Sequence, residues 1–106
     1  MVTDIRECRD RACVLVRELQ NTDERFLEKV IELWSLGNKI YTEAWNTEFH
    51  IFGVVSSDTE HLPLQNVRDK CSDRYLVIAD AEIREKIAHY AKDLEESYRD
   101  ILELHG

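Results

Sequence analysis

Apolar residues return every three or four positions through most of this chain, the rhythm of helices that bury one face. From Ile5 the set Cys8, Ala12, Leu15, Val16 and Leu19 keeps that spacing, while Arg6, Glu7, Asp10, Arg17 and Glu18 fall on the other side. Thr3 or Asp4 can cap this first helix, which is expected to run to about Gln20. Asn21 followed by Glu24 has the form of a capping box and opens a second helix. Its apolar positions run from Phe26 through Val30, Leu33, Ile40 and Trp45 towards Val55. Gly37-Asn38 lies inside it, where a glycine costs roughly 1 kcal/mol against alanine and permits a kink or a close helix crossing. The run Ser56-Ser57-Asp58-Thr59 supplies turn chemistry. Pro63 suits the first turn of a third helix, carried on by Leu64, Val67, Cys71, Tyr75 and Ile78. Asp80 can cap a last helix with the cleanest periodicity of all, through Ile83, Ile87, Ala91, Leu94, Tyr98 and Ile101. Glu82–Lys86, Lys92–Glu96 and Glu95–Arg99 add pairs four apart on its outer side.

These elements predict an all-α fold: an antiparallel up-down four-helix bundle with a long second helix, forming one helical domain over residues 1–106. One alternative competes. The segments 49–55 and 75–79 are rich enough in β-branched and aromatic residues to pair as a hairpin, which would make the fold α+β. Pro63 and the capped sites favour helices.

Composition agrees with a packed chain of 106 residues, 43% hydrophobic and 34% charged, with only three Gly and one Pro to punctuate turns. The formal net charge of −8 disfavours contact with phosphate backbones or anionic lipid, so neither nucleic acid nor a membrane is an expected partner. Acidity leaves room for mimicry of nucleic acid, but the acids alternate with bases on both terminal helices instead of forming a block. The three cysteines Cys8, Cys13 and Cys71, an odd number, together with no apolar h-region after Met1, lead us to expect free thiols and a cytoplasmic protein.

Motifs that carry chemistry are weak. No Gly-rich phosphate loop, HExxH or CxxC occurs, and no cofactor is implied. Glu85 and His89, and the pairs Glu28–Glu32 and Glu82–Glu85, suit a metal only if a second helix answers them, and each lies on a mixed-charge face. No metal site is expected. Cys71 and His61 could form a nucleophile and base, but nothing marks a supporting group, and a core thiol is the simpler reading of Cys71. The chain is not expected to be an enzyme; a small helical enzyme ranks third among the functions considered.

The strongest signal for a partner is aromatic. Five of the nine aromatic residues fall between Trp34 and Phe52, and no Lys or Arg occurs from Ile40 to Val67. On a continuous helix Tyr41, Trp45, Phe49 and Phe52 stack on one side. The apolar residues from Ile40 to Val55 would then cover more of the circumference than packing in one bundle requires. Glu48 would sit among Ala44, Trp45, Ile51 and Phe52, so it must reach water at a bend or find a partner such as Arg68, Arg74 or a ligand. His105, next to the C-terminus, is expected to fray. These residues point to a protein–protein interaction module that self-associates as a homodimer through Tyr41, Trp45, Glu48, Phe49 and Phe52. The second reading is an acidic inhibitor or immunity-type protein that binds a basic partner.

Overall fold

A computed structural model describes residues 4–106. It is all-α, with antiparallel up-down packing and no β-strand among the described residues. The elements are α1 (Ile5–Asn21), α2 (Phe26–Tyr41), α3 (His50–Asp58), a short 3-10 helix (Gln65–Lys70) and α4 (Asp73–His105). The two segments that could have paired as a hairpin are both helical: 50–55 belongs to α3 and 75–79 to α4.

The first helix follows its pattern closely. Asp4 caps it, accepting from the Arg6 backbone N–H at 2.9 Å. Thr3, the other candidate, lies outside the described residues. Cys8, Ala12, Cys13, Leu15, Val16 and Leu19 are buried along one side. The side facing α2 is bridged at the surface by Arg11 and Glu32, 2.8 Å apart, and by Glu18 and Lys29 at 3.4 Å.

Three boundaries depart from expectation. Asn21 and Glu24 do not form a capping box: the Asn21 amide donates to the Arg17 carbonyl at 2.9 Å, and the Glu24 N–H binds Thr22 Oγ1 at 3.1 Å. Arg25 precedes α2 in the left-handed region, at φ 54°, with no side-chain cap. The long second helix is two helices. α2 ends at Tyr41, Thr42 turns the chain at φ 68°, and α3 restarts at His50. A β-branched residue rarely adopts that φ, so other contacts must hold it. The Asn38 side chain spans the turn: its Oδ1 accepts from the Ala44 N–H at 3.0 Å, while its Nδ2 is anchored within α2 on the Trp34 carbonyl at 3.1 Å. Finally, Pro63 begins no α-helix. It precedes the 3-10 helix, and the last helix starts at Asp73, capped by Ser72, whose Oγ accepts from Tyr75 N at 3.1 Å. Asp80 is interior to α4 and binds Arg68 at 2.9 Å.

One hydrophobic core gathers α1, α2, α3, Leu62 and α4, the last mainly through its second half. Both interior glycines mark close approaches. A Cβ on Gly37 would lie 2.6 Å from Phe49 Cγ, and one on Gly53 would lie 2.8 Å from the Trp34 ring. The close crossing suggested by Gly37 is therefore the seat of the Phe49 ring. α4 has 33 residues, about twice the 17 of α1. Its buried residues are Ala79, Leu94, Tyr98 and Ile101, so only one of the four lies in its first half.

Candidate interaction surface

The aromatic segment is a cluster spanning several helices, and most of it faces inward. Phe49 and Phe52 are 0% exposed. Their rings lie 6.1 Å apart, and Phe52 stacks on Tyr98 of α4 at 6.2 Å and 19°. The reason is the break at Tyr41–Thr42. Once the chain turns there, Phe49, at the cap of a separate short helix, and Phe52 within it turn inward to close the core, leaving Tyr41 and Trp45 at the surface. Trp45 packs on Trp34 at 4.5 Å and on His50 at 5.5 Å, yet it is 42% exposed. Tyr41 is also partly open. Of the five residues singled out for an interface, only these two offer apolar surface.

Glu48 does not reach water freely, nor does it meet Arg68 or Arg74. Its Oε1 accepts from Tyr41 Oη at 2.5 Å and lies 2.5 Å from His105 Nε2. The side chains of His105 and Glu48 are only 4% and 9% exposed. His105 therefore does not fray; it closes the carboxyl end of α4 onto the end of α2. Arg9 of α1 completes the group, donating from Nε to His105 Nδ1 at 2.8 Å and from Nη2 to the Leu104 carbonyl at 2.8 Å. Because Arg9 can only donate, Nδ1 must accept, which places the imidazole proton on Nε2, facing the carboxylate. Burial alone would raise the Glu48 carboxyl, but the hydrogen bonds from Tyr41 and His105 outweigh it and hold the group below the usual carboxylate range. Burial, the bond to Glu48 and the Glu48 charge push the Tyr41 phenol up to about 12. The group is a clamp joining α1, α2, the α2–α3 loop and α4.

The other chemical candidates are dispersed. His61 binds Glu82 at 2.6 Å, Cys71 Sγ faces the Val67 carbonyl at 3.5 Å, and Glu32 is held by Arg11. His89 lies against the Tyr90 ring at 4.7 Å. Cys8 and Cys13 are buried free thiols, and burial raises the Cys13 thiol. Among the described residues no group of three or more His, Cys, Asp or Glu side chains is placed to hold a metal ion. No described helix is long and apolar enough to cross a membrane.

Apolar surface appears instead on the first half of α4. Val77 is 69% exposed and Ile78 59%, more than any other large apolar side chain described. Ala81, Glu82 and Glu85 border the same shallow depression. The inner side of this half is tied to the preceding segment mainly by polar contacts: Arg68–Asp80, His61–Glu82 and Lys86–Asp58, with Tyr90 also donating to Asp58 at 2.9 Å. The sequence pattern puts Ile78 on the buried stripe of a third helix and Val77 only in the competing strand, so neither is expected at the surface. The signal was present: five successive apolar residues in a helix cannot all point to one core, since the buried stripe is only ~100° wide or somewhat more.

No protein-family model matches the sequence, and no curated protein or solved structure is detectably similar to it.

Proposed function

We propose that this chain is a non-enzymatic interaction module that self-associates through the outer face of the first half of α4. The observation that carries the reading is the adjacent exposure of Val77 and Ile78 on a helical face. Exposed apolar residues that are contiguous, rather than scattered, mark contact surfaces. Charge on the same face is self-complementary. If two copies of α4 pack antiparallel with the axis passing between Ile78 and Ala81, Arg74 of one copy comes opposite Glu85 of the other. Both are exposed, and the pair flanks the apolar centre twice in a two-fold arrangement. One helix face is a small interface, which belongs with weak and transient association.

The test is sedimentation velocity over a concentration series, with Val77→Lys/Ile78→Lys beside the wild type. The wild type is expected to dimerise with little dependence on salt, because its contact is mainly apolar. The double variant is expected to stay monomeric with an unchanged circular dichroism spectrum. A wild type that is monomeric throughout, or a folded double variant that dimerises equally well, would overturn the reading.

A further inference from the structure

An open groove runs along the inner side of α4, roughly opposite the face used above for self-association. It lies between the α1–α2 turn and α4, with a volume of about 350 Å³, and its floor is formed by Leu19, Phe26, Ile87, Ala91, Leu94 and Tyr98. A second cavity of about 420 Å³ shares Asp23 and Phe26 with the first and continues past Glu28 to Asp80 and Ile83. Followed along α4 from Asp80 to Tyr98, the two span about 27 Å at 1.5 Å per residue, or five helical turns. On the α4 wall Ile83, Ile87, Ala91, Leu94 and Tyr98 recur three or four apart. That is the spacing another helix interlocks with, and the small side chain of Ala91 at the centre admits close approach.

The rim is negative. Asp23 and Glu95 border the first cavity, which no Lys or Arg lines. Glu24, Glu28 and Asp80 border the second, where Arg68 is already held by Asp80 at 2.9 Å and Arg25 is the remaining cation. One Glu28 oxygen, Oε2, is buried without a hydrogen-bond partner among the described residues. A buried carboxylate oxygen left without a donor is costly, so the Glu28 carboxylate is incompletely satisfied within the fold. The Tyr98 phenol is held well above its usual range by burial, and then by the charges of Asp23 and Glu95 that overlook the groove.

We propose that this groove docks a cationic amphipathic helix of another protein. Apolar residues of the helix seat on Ile87 and Ala91, and its Lys or Arg side chains reach Asp23, Glu95 and the Glu28 carboxylate. Ile87 and Ala91 supply the accessible apolar contact, and the acidic rim selects the partner and steers its approach. This surface is separate from Val77 and Ile78, so either proposal can fail while the other stands.

The probe is a synthetic peptide of Leu and Lys, roughly 18 residues long to match the groove, with Leu spaced three and four apart. A twin carries Glu in place of each Lys. Nuclear magnetic resonance titration of the labelled wild-type protein is expected to give saturable shift changes concentrated at residues 19–28 and 83–98. Binding should weaken as salt is raised, and the Glu twin should not bind. Glu28→Gln is expected to weaken the Lys peptide by about tenfold, the loss of one charge-assisted hydrogen bond, whereas Glu103→Gln, on an exposed site and with the same charge change, leaves it nearly unaltered. Shift changes spread over the surface or centred on Val77 and Ile78 would overturn the proposal. So would equal weakening by the two variants, or binding of the Glu twin. Because the map is made on the wild type, a variant that fails to fold does not leave the question open.

Discussion

Glu48 shows how one buried carboxylate can tie a small bundle together. It accepts hydrogen bonds from Tyr41 and His105 in two different helices, and Arg9 from a third orients the imidazole. The consequence is a pH dependence of known sign. The folded-state carboxyl lies below the ordinary value, so its contribution to stability is fully present above the unfolded-state value of about 4.3 and is lost as pH falls through the folded one. Glu48→Gln should therefore destabilise the protein near neutral pH, and the gap between variant and wild type should narrow below about pH 4. Urea midpoints from pH 3 to 7 measure this; a gap that stays constant would mean the clamp does not depend on the Glu48 charge. Little of the clamp was legible in the sequence. Glu48 stood out because it would be surrounded by apolar side chains on a continuous helix, but its partners are remote along the chain. His105, the penultimate residue of the sequence, carried no local sign that it would be buried.

Elements were legible in proportion to how many local signals agreed. In α1 the cap, the 3.6-residue rhythm and the opposite charged face all pointed the same way, and Asp4 to Asn21 followed them. The α2–α3 break had no such marking. No Gly or Pro stands between Tyr41 and Phe49, and the aromatic residues keep helical spacing across the gap, so periodicity alone reads straight through a turn held by the Asn38 side chain. The start of α4 was misplaced for a related reason. Asp80 resembles a cap but lies inside the helix, where it serves as the anion for Arg68. Ser72 is the true cap, and Ser72→Ala should cost about 1 kcal/mol. Since the first half of α4 buries only Ala79, that loss should appear as fraying rather than global unfolding. Amide exchange would then quicken at 73–79 and remain slow at 94–101. Uniform acceleration along α4 would instead make the helix one cooperative unit.

At the scale of the whole molecule, the buried rings Phe49, Phe52 and Tyr98 join the helices, while the most exposed large apolar side chains, Val77 and Ile78, are aliphatic. Phe49 sits on Gly37, Trp34 sits on Gly53, and Phe52 stacks on Tyr98, so α2, α3 and α4 are joined through one cluster. With no space for even a Cβ at either glycine, this packing tolerates neither enlargement nor loss. The two ends of the cluster should then respond differently to truncation. Phe52→Ala removes a fully buried ring and should destabilise by about 3–5 kcal/mol, enough to threaten folding of a domain this size. Trp45→Ala removes a ring that is 42% exposed and lies outside the core, and should cost less, near 1 kcal/mol. Denaturant unfolding of the two single variants separates them. If Phe52→Ala were as mild as Trp45→Ala, the cluster would not be the keystone of the fold, and an intermolecular role for Phe52 would return. If Trp45→Ala is mild and the protein's association is unchanged, the aromatic segment is spent inside the fold, and the surfaces left for partners are those of α4.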